Sequence, residues 1–167
     1  MAEQDTNDIE RLSNTVAQLL LSRGLRLAVA ESCTGGWVAM ALTAIPGSSE
    51  WFDRGYVTYS NSAKQQVLGV SEATLQRYGA VSEQTVAEMT AGTLTTSATD
   101  LALAISGIAG PGGGTVEKPV GTVCFAWQCK HRPAVTARRL FDGDREAVRR
   151  QAVVHALQGL IELVEHG

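Results

Sequence analysis

The chain has no surplus of basic residues. Fourteen Lys and Arg stand against 17 Asp and Glu, a net charge of −3, and no Lys/Arg block stands out. A non-specific nucleic-acid binder carries a basic footprint, so no nucleic-acid partner is expected. Long hydrophobic runs are missing too. The apolar stretches are short and interrupted, which predicts no transmembrane helix and no membrane partner. The opening MAEQDTNDIERL is acidic and polar, without the basic and apolar regions of a secretory signal. Cysteine is scarce: Cys33, Cys124 and Cys129 are odd in number and sit in no metal-ligand spacing. A reduced, cytoplasmic protein is the expectation. The three histidines, His131, His155 and His166, are scattered and late. They leave little to build a zinc site or a His-based triad.

What is present is globular. The 167 residues are 44% hydrophobic and 19% charged, enough for one domain over 1–167 with a sizeable core. Ile9, Leu12, Val16, Leu19 and Leu20 fall on one helical face over 7–22. Gly24 ends that helix, and 25–30 reads as a short buried strand. A small polar turn, Glu31 to Gly36, leads into a helix over 37–43. Aromatic and β-branched residues mark a strand over 54–60. Helices are predicted over 62–68, 71–77 and 83–96, the last capped by Ser82. Residues 100–105, 120–129 and 134–141 read as strands, and 145–165 as a final helix behind Asp144. Helices between the early strands imply right-handed crossovers. The expected fold is a three-layer α/β/α domain with a mixed, mostly parallel sheet of about five strands.

Chemistry concentrates in four places. The stretch GSSEWFDRGYVTYSNSAK (47–64) holds a serine pair, Ser48 and Ser49, and ends on Lys64. Serine needs a base to become a nucleophile, and a deprotonated lysine can serve. A lysine in the first turn of a helix faces the positive end of the macrodipole, which disfavours its charged form; burial would add to that. The alternative is a solvated surface lysine. Two strands run into small-residue turns, Ser32 to Gly36 and Ser106 to Gly114. Ligands of open α/β sheets bind beyond the carboxyl ends of strands, yet a packing turn and a flexible loop explain the same glycines. Arg145 also opens a helix, with Arg149 one turn on. It either pairs with Asp142, Asp144 or Glu146, or binds an anion. Cys33, at a helix start, is the rival nucleophile or a small buried thiol.

The segments AESCTGGWVA (30–39), PGSSEWF (46–52), GYVTYSNSAK (55–64), GAVSE (79–83), SGIAGPGGG (106–114), KPVGTV (118–123) and GDREAVR (143–149) together resemble the CinA C-terminal domain family over nearly the whole chain. The likeness is to its stand-alone members, which are nicotinamide-nucleotide amidases. It implies hydrolysis of nicotinamide mononucleotide (NMN) to nicotinate mononucleotide and ammonia, without metal or other cofactor, in a homodimer or larger homo-oligomer. By the same likeness Ser49 is the nucleophile, and Tyr59 and Lys64 complete the catalytic group. The backbones of 47–50 or 106–108 supply the oxyanion donors. Ser32, Thr34, Gly35, Ser106 and Gly107 line the substrate site, and Arg145 takes the phosphate. A non-catalytic nucleotide-binding module is the other reading.

Overall fold

The computed structural model describes residues 2–167. Helix α1 (Ala2–Arg23) leads into β1 (Leu27–Glu31) and α2 (Trp37–Thr43), and a single 3-10 turn (Ser48–Glu50) precedes β2 (Phe52–Val57). Helices α3 (Asn61–Leu68), α4 (Glu72–Tyr78) and α5 (Glu83–Thr96) come next, then β3 (Leu101–Gly107), β4 (Thr122–Cys129), β5 (Val135–Leu140) and α6 (Arg145–His166). The strands form one sheet in the order β2-β1-β3-β4-β5. The first three are parallel, and β4 and β5 add antiparallel to β3. The mixed five-strand sheet therefore matches the expectation.

The sequence dictates which helices go on which face. Successive strand residues point to opposite sides of a sheet. In β1, β3 and β4 the large residues alternate with small ones: Leu27, Val29, Leu103, Ile105, Phe125 and Trp127 against Ala28, Ala30, Ala102, Ala104, Cys124 and Ala126. The large set packs with Leu12, Val16 and Leu20 of α1 and with Val148, Ala152, Val153, Leu157 and Leu160 of α6. The alanine side meets Val86 and Met89 of α5 together with Leu68 and Leu75. A face of alanines lets α5 lie close to the sheet, while the other face supplies most of the apolar area removed from water. Burial of each Leu, Val or Phe there contributes about 1.5–3 kcal/mol.

Two boundaries differ from expectation in a way that shapes the site. β2 ends at Val57, not at residue 60. The Thr58 N–H donates to the Glu31 carbonyl at 2.9 Å, after which the chain leaves the sheet so that Ser60 can cap α3. The 3-10 turn carrying Ser49 is additional to the expected elements. Three parallel strands thus bring Glu31, Val57 and Gly107 to one edge of the sheet, with Ser32, Thr58 and Ile108 next in the chain there.

Helix α3 is seated on α5 at Gly92. A β-carbon at that position would lie 1.8 Å from the Leu68 carbonyl oxygen at the end of α3. Gly92→Ala must therefore push α3 outward. We expect a loss of about 1–3 kcal/mol in stability, read as a lower midpoint in urea.

Candidate active site

Ser60 caps α3, its Oγ accepting the Ala63 N–H at 3.0 Å. This places Lys64 in the helix's opening turn, where the Lys64 N–H closes the bond to the Ser60 carbonyl. The side chain runs inward rather than out to solvent: Lys64 is 1% exposed. Its Nζ lies 3.0 Å from Ser32 Oγ and donates to the Thr58 carbonyl at 2.8 Å. No carboxylate forms an ion pair with it among the described residues. Burial pulls the Lys64 pKa below the ordinary lysine value of 10.5, and the nearby Cys33 opposes this only in part. The surface-lysine alternative is thereby removed. The amine is buried and held against a serine hydroxyl.

Ser32 is fixed by the turn after β1. Its N–H donates to the Ile105 carbonyl and its carbonyl accepts the Gly35 N–H, each at 3.0 Å. Gly35 and Gly36 have φ of +60° and +102°, a left-handed geometry that glycine adopts without strain. The turn is tied down from α6 as well. Arg149 donates from Nε to the Cys33 carbonyl at 2.9 Å and from Nη2 to the Thr34 carbonyl at 3.1 Å, with its guanidinium over the Trp37 ring. Arg149 is thus committed to two carbonyls and an aromatic face.

Arg145 is disposed differently. Glu146 pairs with Arg150 and Asp144 caps α6 by accepting the Ala147 N–H. Arg145 reaches away from these acids, donating to the Gly110 carbonyl at 2.7 Å and to the Tyr59 hydroxyl at 2.9 Å. It belongs to two adjoining cavities. One, about 270 Å³, contains Ser32, Tyr59, Lys64, Ser106, Gly107 and Arg145. The other, about 610 Å³, is bounded by Thr34, Gly35, Trp37, Met40, Arg145 and Arg149. Ser106 is buried and lines the smaller cavity. Tyr59 is 58% exposed at the mouth and bonds to Arg145 rather than to Lys64.

Ser49 is not in this assembly. It is exposed on the 3-10 turn before β2, outside the cavity that Lys64 lines. The reason is topological. The segment entering a parallel strand lies at one edge of the sheet, and the segment leaving it lies at the opposite edge. The six residues of β2 put about 20 Å of strand between the two segments. Within one chain, Ser49 and Lys64 do not converge; the serine that meets the lysine is Ser32. Among the expected oxyanion donors, several N–H groups are engaged elsewhere. Ser48 and Glu50 lie at the far edge with their N–H groups already bonded, and the Ile108 N–H is spent on the Thr122 carbonyl. For Cys33, burial pushes the thiol up to about 12, against the opposing pull of Arg149, which disfavours the thiolate that a cysteine nucleophile needs.

Two residues of the site escape a reading of the sequence. Thr58 provides the carbonyl that accepts from Lys64, which depends on where β2 ends. Glu31 is 1% exposed and accepts the Val38 and Ala39 N–H groups on its two carboxylate oxygens. Its signal is legible: a charged residue closes an otherwise apolar strand.

Known proteins are similar to this chain in sequence and share this fold. The CinA C-terminal domain model matches residues 9–164. The nicotinamide-nucleotide amidohydrolase PncC of Escherichia coli K12 is 55% identical over 154 residues, covering 92% of this chain and 93% of its own. The protein of that name from Pseudomonas putida is 49% identical, over 93% and 96%. Among solved structures, a competence-damaged protein (CinA) superfamily protein from Klebsiella pneumoniae 700603 superposes with a TM-score of 0.91 at 46% identity, over 95% of this chain and 99% of the other. A competence/damage inducible protein from Agrobacterium tumefaciens gives 0.91 and 46%, over 93% and 95%. Family model, relatives and fold agree along almost the full length: the chain belongs to the CinA C-terminal domain family.

Proposed function

We propose that this protein hydrolyses the carboxamide of NMN to nicotinate mononucleotide and ammonia, with Ser32 as nucleophile and Lys64 as its base. The observation that carries the reading is the buried Lys64 Nζ, 3.0 Å from Ser32 Oγ and drawn toward its neutral form. A neutral amine has two N–H groups and one lone pair. One N–H serves the Thr58 carbonyl, which leaves the lone pair to accept the Ser32 proton. The identity of the substrate rests on the amidohydrolase relatives.

In the first step Ser32 Oγ bonds to the carboxamide carbon while its proton passes to Lys64 Nζ. The oxyanion needs N–H donors. The Cys33 N–H comes directly after the nucleophile and has no acceptor among the described residues, so it is our candidate for one of them. On collapse the C–N bond breaks and Lys64 returns the proton to the departing nitrogen, releasing ammonia. Water, deprotonated by the same lysine, then cleaves the ester, and Ser32 recovers its proton. Ser106 offers its hydroxyl to the ring or carboxamide. Arg145 exchanges the Gly110 carbonyl for the phosphate, and Tyr59, which accepts from the other guanidinium nitrogen, keeps it oriented rather than moving the reaction's proton. Thr34 and Gly35 border the larger cavity on the phosphate side.

Ser32→Ala is expected to reduce ammonia release from NMN by at least about a thousandfold, whereas Ser49→Ala stays within about threefold; reversal of that order in a coupled ammonia assay would refute the assignment. Because the base is the neutral lysine, kcat/KM is expected to rise with pH through a Lys64 pKa that burial places below 10.5, and to level off above it. The rising limb should vanish along with activity in Lys64→Met. Arg145→Ala is expected to raise KM for NMN about tenfold or more while leaving turnover of the unphosphorylated nicotinamide riboside little changed, which steady-state kinetics on both substrates would show.

A further inference from the structure

We propose that Glu31 is a positioning residue for the Ser32–Lys64 pair, a role that rests on the amidase reading above. Glu31 is fully enclosed at 1% exposure, a placement rarely tolerated by a carboxylate unless its oxygens are satisfied. Both are: Oε1 accepts the Val38 N–H at 2.9 Å and Oε2 accepts the Ala39 N–H at 3.0 Å. These are orphan donors in the first turn of α2, whose N-cap Gly36 has no side chain to offer. A strand residue is thus acting as the helix's cap from across the turn. The turn it closes, residues 32–36, holds the nucleophile at its first position.

The main chain of Glu31 acts on the lysine. Its carbonyl accepts the Thr58 N–H at 2.9 Å, and the carbonyl of Thr58 accepts Lys64 Nζ at 2.8 Å. One residue therefore fixes the nucleophile's turn through its side chain and the base's acceptor through its backbone. Its carboxylate also occupies the α2 amides that the Ser-Cys-Thr-Gly-Gly turn would otherwise present to an anion. The phosphate is thereby left to Arg145 and the α6 side of the larger cavity.

Only the side-chain half of this role is open to mutation. Glu31→Gln keeps the shape, but its amide can accept one N–H and must turn an NH₂ group toward the other. The turn relaxes, and the Ser32 hydroxyl leaves the line of attack. A misplacement on the order of 1 Å lowers turnover by about a hundredfold. We expect kcat for NMN to fall about tenfold to a hundredfold with KM within about twofold, and faster hydrogen exchange confined to the start of α2. Glu31→Asp, a milder change should the amide variant fold poorly, shows the same split. Ser71→Ala removes the cap of α4, where Ser71 Oγ accepts the Thr74 N–H. It serves as the control for a comparable loss of Tm and is expected to keep kcat. Accelerated exchange at Val38 and Ala39 in Glu31→Gln with kcat unchanged would overturn the proposal, leaving Glu31 as a helix cap alone. A rise in KM at constant kcat would overturn it as well. Full activity of Ser32→Ala would instead remove the Ser32–Lys64 reading on which it depends.

Discussion

A lysine that is 1% exposed without a carboxylate partner among the described residues is the constraint on which the site depends. Burying a charged ammonium is expensive enough that the group sheds its proton instead. The surroundings of Lys64 accommodate a neutral amine: one carbonyl to receive an N–H and one hydroxyl against which to set the lone pair. Placement early in α3, at the positive end of the helix, works in the same direction. A carboxylate beside Nζ would hold the proton on the lysine and remove the proposed base. The residues around it are instead a serine, a carbonyl and a thiol kept protonated by its own burial.

The sheet gathers these groups from distant parts of the chain. Ser32 comes after β1, Thr58 after β2, and Ser106 lies near the end of β3. All three strands run parallel, so their carboxyl ends share one edge. The helices then lock the turns. The opening of α2 is held by Glu31, α3 delivers Lys64 by way of the Ser60 cap, and α6 sends Arg149 to the turn carbonyls and Arg145 across the cavity mouth. Small residues make the assembly possible, with an alanine-lined face under α5 and Gly92 where α3 and α5 meet.

Much of this is legible in the sequence, for identifiable reasons. The spacing of Ile9, Leu12 and Val16, the Ser82 and Asp144 caps and the Leu-Ala-Leu-Ala alternation of β3 all rest on local geometry, so they place the elements to within a few residues. The position of Lys64 at a helix start is readable because Ser60 is a local cap. Pairing is not readable. Ser49 and Ser32 are both serines beside small-residue turns, and only the direction of β2 places one at the far edge and the other against the lysine. The commitments of Arg149 to Cys33 and Thr34, more than 110 positions away, have no local signature. Nor does the capture of α2 by Glu31, although a carboxylate ending an apolar strand marks the place.

Which oxygen becomes acylated decides the matter. Quenching the enzyme in acid during turnover of NMN and mapping the acyl adduct by fragmentation mass spectrometry would locate it. The predicted result is a nicotinate-ribotide ester on Ser32, absent from Lys64→Met. An adduct on Ser49 or Cys33, or hydrolysis with no covalent intermediate under conditions where deacylation is rate-limiting, would contradict the assignment.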